Sequence, residues 1–293
     1  MDSVELYDPS TGNWTLIDNM LAKRAVHTAT LLANGQVLVV GADSAENENS
    51  YSAELYNPSN RKWAMTENVN YPRSGHAATL LSDGRVLVVG GGLYPTTGEI
   101  YDPTTQSWTV IANMTSGRYQ HTATLLNDGR VLVIGGLIGA IRLNSAEIYN
   151  PSLNTWTTIQ NMTYQRSSHT ATMLPDEKIL VIGASTGQGA FTPELYDVSS
   201  GNWTTLANTI QRRYMQTVAT LPDGRILVFG GAAVGSMHIA EIYDPAARNW
   251  TFAGDMYEIR RNYQSVQFSD GRVLAISGYN GVDTVNSTEI YHP

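Results

Sequence analysis

No cysteine occurs among the 293 residues. That absence excludes disulfide staples, thiolate-bound zinc, thiol nucleophiles and any cofactor cross-linked to a cysteine side chain. It leaves the compartment open, because a cysteine-free fold is equally stable in reducing and oxidising media. Lysine is scarce as well: Lys23, Lys62 and Lys178 stand against fifteen arginines, and the formal net charge is −8. An acidic chain without a long basic run is not a duplex nucleic-acid binder, since phosphate neutralisation dominates that affinity. No apolar run reaches the roughly 18–20 residues of a membrane-spanning helix. The longest, such as residues 130–135, have strand length. Also missing are a signal peptide, a Gly-x-Ser-x-Gly elbow, a phosphate-binding glycine loop and a His-Glu-x-x-His pair. No catalytic residue, metal ligand or cofactor is therefore assigned.

What is present is repetition. Residues 99–136 read EIYDPTTQSWTVIANMTSGRYQHTATLLNDGRVLVIGG, and relatives of this unit fill the chain. Glu-(Leu/Ile)-Tyr begins at Glu5, Glu54, Glu99, Glu147, Glu194, Glu241 and Glu289, at intervals of 45–49 residues. Nine residues after each of the first six glutamates stands a tryptophan: Trp14, Trp63, Trp108, Trp156, Trp203 and Trp250. Ten residues further on stands an arginine: Arg24, Arg73, Arg118, Arg166, Arg213 and Arg260. Three residues after that come His27, His76, His121 and His169, then Gln216 and Tyr263 in the last two copies.

Each copy predicts four short strands. The first resembles His-Thr-Ala-Thr-Leu-Leu at His121, with small and β-branched residues suited to packing on both faces. Asn-Gly or Asp-Gly follows at Asn34, Asp83, Asp128, Asp223 and Asp270, predicting a type I′ hairpin. The fourth copy has Asp176-Glu177 and predicts a looser turn or one of another type. The second strand is an apolar run ending in glycine, the third is Glu-x-Tyr closed by Asp/Asn-Pro, and the fourth carries the tryptophan. One buried tryptophan per copy predicts packing between repeats rather than a binding site.

Four antiparallel strands repeated at this spacing predict an all-β, six-bladed β-propeller. Gly-Gly after an apolar strand, then Glu-x-Tyr-(Asp/Asn)-Pro and a tryptophan nine residues beyond the glutamate, resembles the kelch repeat across essentially the whole chain. The doublet departs from that pattern at Ala42, Ala184 and Ser277. The expected organisation is one domain over residues 1–293. Its blades are placed near 21–66, 70–112, 115–158, 163–206, 210–253 and 257–291, the last completed by residues 4–17. Closure by pairing of the N- and C-terminal segments removes free edges. On that reading the Trp14 segment supplies the missing fourth strand, and residues 289–291 are left over or alternately paired. The surplus third strand suggests a piece of a longer protein.

The length variation falls in the loops between strands 2 and 3: residues 42–53, 92–98, 137–146, 185–193, 232–240 and 279–288. Nine tyrosines outside the Glu-x-Tyr frame fall in those loops, in the links between blades or at the start of strand 1, joined by Arg142, Arg212 and Arg261. Tyrosine and arginine on loops are what interfaces use as anchors. The candidate ligand-binding residues are Arg24, Arg73, Arg118, Arg166, Arg213, Arg260, Tyr119, Tyr214 and Tyr263, at an Arg/Tyr-rich channel mouth. The competing reading pairs each framework arginine with a framework glutamate as a structural ion pair. Kelch substrate adaptors of ubiquitin ligases are similar here (Tyr71-Pro-Arg-Ser-Gly in this chain), which implies binding of a protein or acidic peptide by a monomer. A glycan is the alternative ligand, tyrosines stacking on sugar faces.

The four histidines are too widely spaced on a six-fold scaffold for ~2.1 Å ligand bonds, so rings packed beside their blades are expected. The last repeat also resembles the propeller of galactose oxidase and related copper radical oxidases. That resemblance implies the fold, and a third reading of the chain as an inactive scaffold fragment. The Tyr–Cys cross-link of those enzymes has no cysteine here, and no Tyr-His pair occurs. Six Asn-x-Thr sequons begin at Asn13, Asn113, Asn161, Asn202, Asn249 and Asn286, which leans toward an extracellular protein.

Overall fold

Every repeat folds into one antiparallel sheet, and the turn between its first two strands shows why. In the second repeat the Gly84 N–H donates to the Leu81 carbonyl (3.0 Å) and the Leu81 N–H to the Arg85 carbonyl (2.8 Å). Gly84 has φ of 86° while Asp83 is right-handed, so the type I′ turn expected from Asp-Gly, with two positive φ values, does not form. A type I turn closed by a left-handed residue takes its place. The aspartate instead caps the turn, accepting from the Arg85 N–H at 3.1 Å. The fourth repeat makes the same turn, not a looser one: Glu177 adopts φ of 62° and donates its N–H to Leu174. Local hydrogen bonding there outweighs the steric cost of a left-handed non-glycine residue.

The computed structural model describes residues 1–42, 48–185, 187, 189, 191–232 and 238–293. Parts of the loops 42–53, 185–193 and 232–240 lie outside them. The chain is an all-β, six-bladed kelch-type propeller. It carries a 3-10 turn, Glu48–Tyr51. It divides into two compact units.

The first unit comprises Met1–Val133, Leu137–Ala140 and Glu147–Thr158. It holds an N-terminal hairpin, Val4–Asp8 with Asn13–Ile17, and two complete blades. Blade 1 is Thr28–Leu31, Val37–Val40, Ala53–Asn57 and Lys62–Met65. Blade 2 is Ala77–Leu80, Val86–Val89, Gly98–Asp102 and Ser107–Val110. Most of blade 3 follows: Thr122–Leu125, Val131–Ile134, Ala146–Asn150 and Thr155–Ile159. The second unit comprises Ile134–Gly136, Ile141–Ala146 and Ile159–Pro293. Its blade 4 is Thr170–Met173, Lys178–Ile182, Glu194–Asp197 and Asn202–Thr205. Blade 5 is Thr217–Thr220, Ile226–Phe229, Ile239–Asp244 and Asn249–Asp255. Blade 6 has three strands, Gln264–Gln267, Val273–Ile276 and Thr288–Tyr291.

Val4–Asp8 and Asn13–Ile17 pair with each other in a sheet of their own, and Thr288–Tyr291 takes the third place in blade 6 beside Val273–Ile276. A hairpin closed by so short a turn costs little chain entropy.

The cores lie between neighbouring blades. Leu38, Val40, Ala53 and Leu55 of blade 1 pack with Val86, Val88, Tyr101 and Trp108 of blade 2. Each framework tyrosine from Tyr7 to Tyr243 stacks on its own blade's tryptophan, ring centroids 4.9–5.1 Å apart. The Trp63, Trp108, Trp156 and Trp203 indoles donate to Asp18, Glu67, Ala112 and Gln160 carbonyls of the preceding repeat at 2.8–3.0 Å. The tryptophans are packing between repeats.

Candidate functional site

The link entering each blade meets the loop between its second and third strands, and the framework arginine binds them together. The Arg73 guanidinium donates to Glu99 Oε1 (2.8 Å), to the Gly90 carbonyl (2.9 Å) and to the Thr97 carbonyl (3.1 Å). Glu99 also accepts from the N–H groups of Asn70 (2.7 Å) and Tyr71 (3.2 Å) in the link. One buried ion pair thus fixes the end of strand 2, the base of the loop and the incoming link.

The same clamp is built in every blade: Arg24–Glu54 at 2.7 Å, Arg118–Glu147 at 2.8 Å, Arg166–Glu194 at 2.9 Å, Arg213–Glu241 at 2.6 Å and Arg260–Glu289 at 3.0 Å. Burial pushes the guanidinium pKa of Arg73, Arg118 and Arg166 below its ordinary value, and the paired glutamates oppose that shift. Arg73, Arg118, Arg166, Arg213 and Arg260 are wholly buried, and Arg24 is 3% exposed. None of these six head groups is open to a ligand. That corrects the expectation that they form the binding surface: the competing ion-pair reading describes them. A charge this buried is held only with a full complement of partners, and carbonyls at the loop base supply them.

Strand 1 begins with a second device. The residue before each histidine, or its replacement, has a left-handed backbone: Val26, Gly75, Gln120, Ser168, Met215 and Asn262, with φ of 52–64°. This turns the next side chain toward the preceding blade. A Cβ at Gly41 would lie 2.8 Å from the His76 ring, at Gly90 2.6 Å from His121, and at Gly135 2.7 Å from His169. The first glycine of the doublet is therefore a seat for the next repeat's ring. His76 Nε2 sits 2.7 Å from Thr28 Oγ1, and Gln216 in the same role donates to the Ile182 carbonyl at 2.7 Å. Burial, with Arg73 and His27 nearby, pulls the His76 pKa down to about 3. Tyr263 is likewise withdrawn, its hydroxyl donating to the Phe229 carbonyl at 2.7 Å and burial raising its pKa. It is a packing residue, not a surface one.

The model of the KLHDC2/KLHL20/DRC7 Kelch-repeats domain matches residues 26–231, well over half of the chain. The chain belongs to this Kelch-repeat family. No protein with a curated description matches it. Among solved structures, the kelch-type chain described as "Structure of YjhT" is similar at a TM-score of 0.71 and 15% identity, covering 93% of this chain and 95% of that one. A fungal alcohol oxidase, described as having "catalytic diversity among the AA5 family, in complex with copper", is similar at a TM-score of 0.56 and 18% identity. That likeness covers 87% of this chain and 70% of the oxidase. At these identities both share the fold.

With the arginine clamps closed, what the Kelch framework leaves outside is aromatic. Tyr71 and Tyr94 stack with centroids 5.1 Å apart, Tyr94 being 43% exposed. Tyr119 is half-buried, bridged to Leu137 by two backbone hydrogen bonds, and its hydroxyl donates to the Gly139 carbonyl at 2.8 Å. Tyr214 is held the same way against Ala232. In the second unit the Arg212 guanidinium lies over Phe191 (5.9 Å) and that of Arg261 over Tyr279 (4.8 Å), while Tyr257 is 93% exposed. Two depressions in the first unit, about 430 and 410 Å³, lie at the opposite loops beside the Asp-Gly turns. In them Arg85 pairs with Asp83 and Arg130 with Asp128. Among the described residues no group of three or more His, Asp or Glu is placed to hold a metal ion.

Proposed function

We propose that the chain is a non-enzymatic interaction module that takes a protein or peptide partner on its loops between strands 2 and 3 and the links between blades. The observation that carries this reading is the division of labour among the polar anchors. All six framework arginines are spent inside the fold, whereas Tyr71, Tyr94, Tyr119, Tyr214 and Tyr257 stand on the connections. Tyrosine is an effective contact residue because its rigid ring buries large area at low entropic cost and its hydroxyl bonds at the rim. The clamps hold the loop bases still, so little ordering entropy is lost when a partner binds. Membership of the Kelch-repeat family supports the same class of function, and the oxidase neighbour contributes fold only.

Peptide selection from a displayed library tests this. The expected result is peptides whose binding Tyr94→Ala or Tyr119→Ala weakens about tenfold, as for interface anchors of moderate strength. Thermal unfolding should stay unchanged in both variants. A glycan array that binds while all peptides fail would replace the protein partner with a carbohydrate.

A further inference from the structure

Six Asn-Gly or Asp-Gly pairs occur in the chain, and five of them form turns between strands 1 and 2. In those five the glycine N–H is engaged. Gly35, Gly84, Gly129, Gly224 and Gly271 donate to the carbonyls of Leu32, Leu81, Leu126, Leu221 and Phe268 at 2.9–3.0 Å. Bonds from the arginine two residues on keep the carboxyl pKa of Asp83, Asp128, Asp223 and Asp270 below its ordinary value, and an ionised carboxylate is a poor electrophile. The sixth pair, Asn280-Gly281, lies in the loop between strands 2 and 3 of blade 6 and differs on both counts. Both residues are exposed, and among the described residues nothing accepts from the Gly281 N–H. Asn280 carries a neutral amide whose Oδ1 accepts from the N–H groups of Val282 (2.9 Å) and Asp283 (2.8 Å). The Asn280 N–H returns a bond to the Asp283 carbonyl at 3.1 Å, which holds the turn closed.

We propose that Asn280 is a site of spontaneous deamidation, with the Gly281 nitrogen as nucleophile and the Val282 and Asp283 N–H groups as oxyanion donors. The Gly281 nitrogen gives its proton to solvent base and bonds to Asn280 Cγ. The negative charge that collects on Oδ1 meets two donors already in place. The Cγ–Nδ2 bond then breaks, and the side-chain nitrogen takes a proton from solvent and leaves as ammonia, giving a five-membered imide. Water adds to either imide carbonyl and opens the ring to aspartate or isoaspartate, with no change of oxidation state. The product adds a carboxylate next to Tyr279, over which the Arg261 guanidinium lies at 4.8 Å. Isoaspartate also inserts a methylene into the backbone enclosed by the Tyr279–Thr284 bridge. Asn34-Gly35 is the same dipeptide and equally exposed, but the Gly35 N–H must first leave the Leu32 carbonyl. Its Oδ1 accepts from one N–H, that of Gln36 at 3.0 Å.

The test incubates the full 293-residue chain at neutral and mildly alkaline pH. Peptide mass spectrometry follows the amide-to-acid conversion at Asn280 and Asn34, and a protein-isoaspartate methyltransferase labels the branched product. Asn280 should convert about tenfold faster than Asn34 in the folded chain, faster at the higher pH, with isoaspartate among the products. In denaturant the two rates should converge, since both sites then share the dipeptide alone. Gly281→Ala should slow conversion at residue 280; should that variant fail to fold, the native and denatured rates decide alone. Asn280 converting no faster than Asn34, a rate ratio unchanged by unfolding, or aspartate formed without isoaspartate would overturn the proposal.

Discussion

Blade 2 and blade 6 share the repeat frame, yet they are not equally finished. In blade 2 both partners of the Arg73–Glu99 pair are sealed, with no exposure on either side chain. In blade 6 Arg260 is equally buried, but Glu289 is 22% exposed and a second carboxylate, Glu258, approaches to 3.6 Å. Gly90 in blade 2 has the Arg118 carbonyl 2.4 Å from where its Cβ would be, so no side chain fits. Its counterpart Ser277 is exposed and accommodates φ of 59° with a side chain present. Trp108 lies on the fourth strand of blade 2, whereas blade 6 has three strands among the described residues. The contrast shows that much of the repeat signature is dictated by the next repeat rather than by its own blade.

The sharpest way to break the comparison is to remove the carboxylates. Glu99→Ala leaves a guanidinium and two link N–H groups buried without a partner, and should cost about 3–5 kcal/mol in chemical denaturation. Glu289→Ala should cost less than half of that, because water and Glu258 reach Arg260. Equal losses would mean that the fourth strand does not seal the pair. Next in size, Trp108→Ala should cost about 3 kcal/mol, and it should speed hydrogen exchange in blade 2.

The third effect depends on pH. His76 has its pKa lowered to about 3 from 6.5, so the unfolded chain takes up its proton first as the solution is acidified. Its contribution is complete above pH 6.5 and is lost as pH falls toward 3, with a slope of about 1.4 kcal/mol per pH unit. Because Gln216 fills the same seat in blade 5, His76→Gln should fold and flatten that acid limb in a stability-versus-pH series. Smallest of all, Asp83→Ala breaks an exposed pair, Arg85–Asp83 at 2.6 Å, and should cost no more than about 1 kcal/mol. A larger loss would show that the turn cap, not the ion pair, matters.

The fold was legible because its determinants repeat: tryptophan, Glu-x-Tyr and the glycine doublet each recur in phase, and local hairpins are set by local residues. The strand order at the ends was not, because the same Glu-x-Tyr motif stands at both termini and the motif alone does not say which copy joins blade 6. The arginines were misassigned to the surface for a physical reason. A sequence shows that arginine and glutamate recur once per blade, but not that carbonyls at the loop base complete the desolvation of the guanidinium. The left-handed residues ahead of strand 1 were hidden as well. Gly75 and Asn262 tolerate positive φ, but Val26 is β-branched and gives no hint of it.

The clamp at the base of each loop has a bearing on how such a protein diversifies. Arg73, Glu99 and their carbonyl partners grip the loop where it leaves and re-enters the sheet, so its two ends stay anchored whatever its length. Insertions, deletions and substitutions there are absorbed without disturbing packing, as the differing lengths of residues 42–53 and 92–98 already illustrate. Each blade thus works as a socket for an exchangeable loop cassette, so recognition can change from descendant to descendant while the scaffold stays fixed.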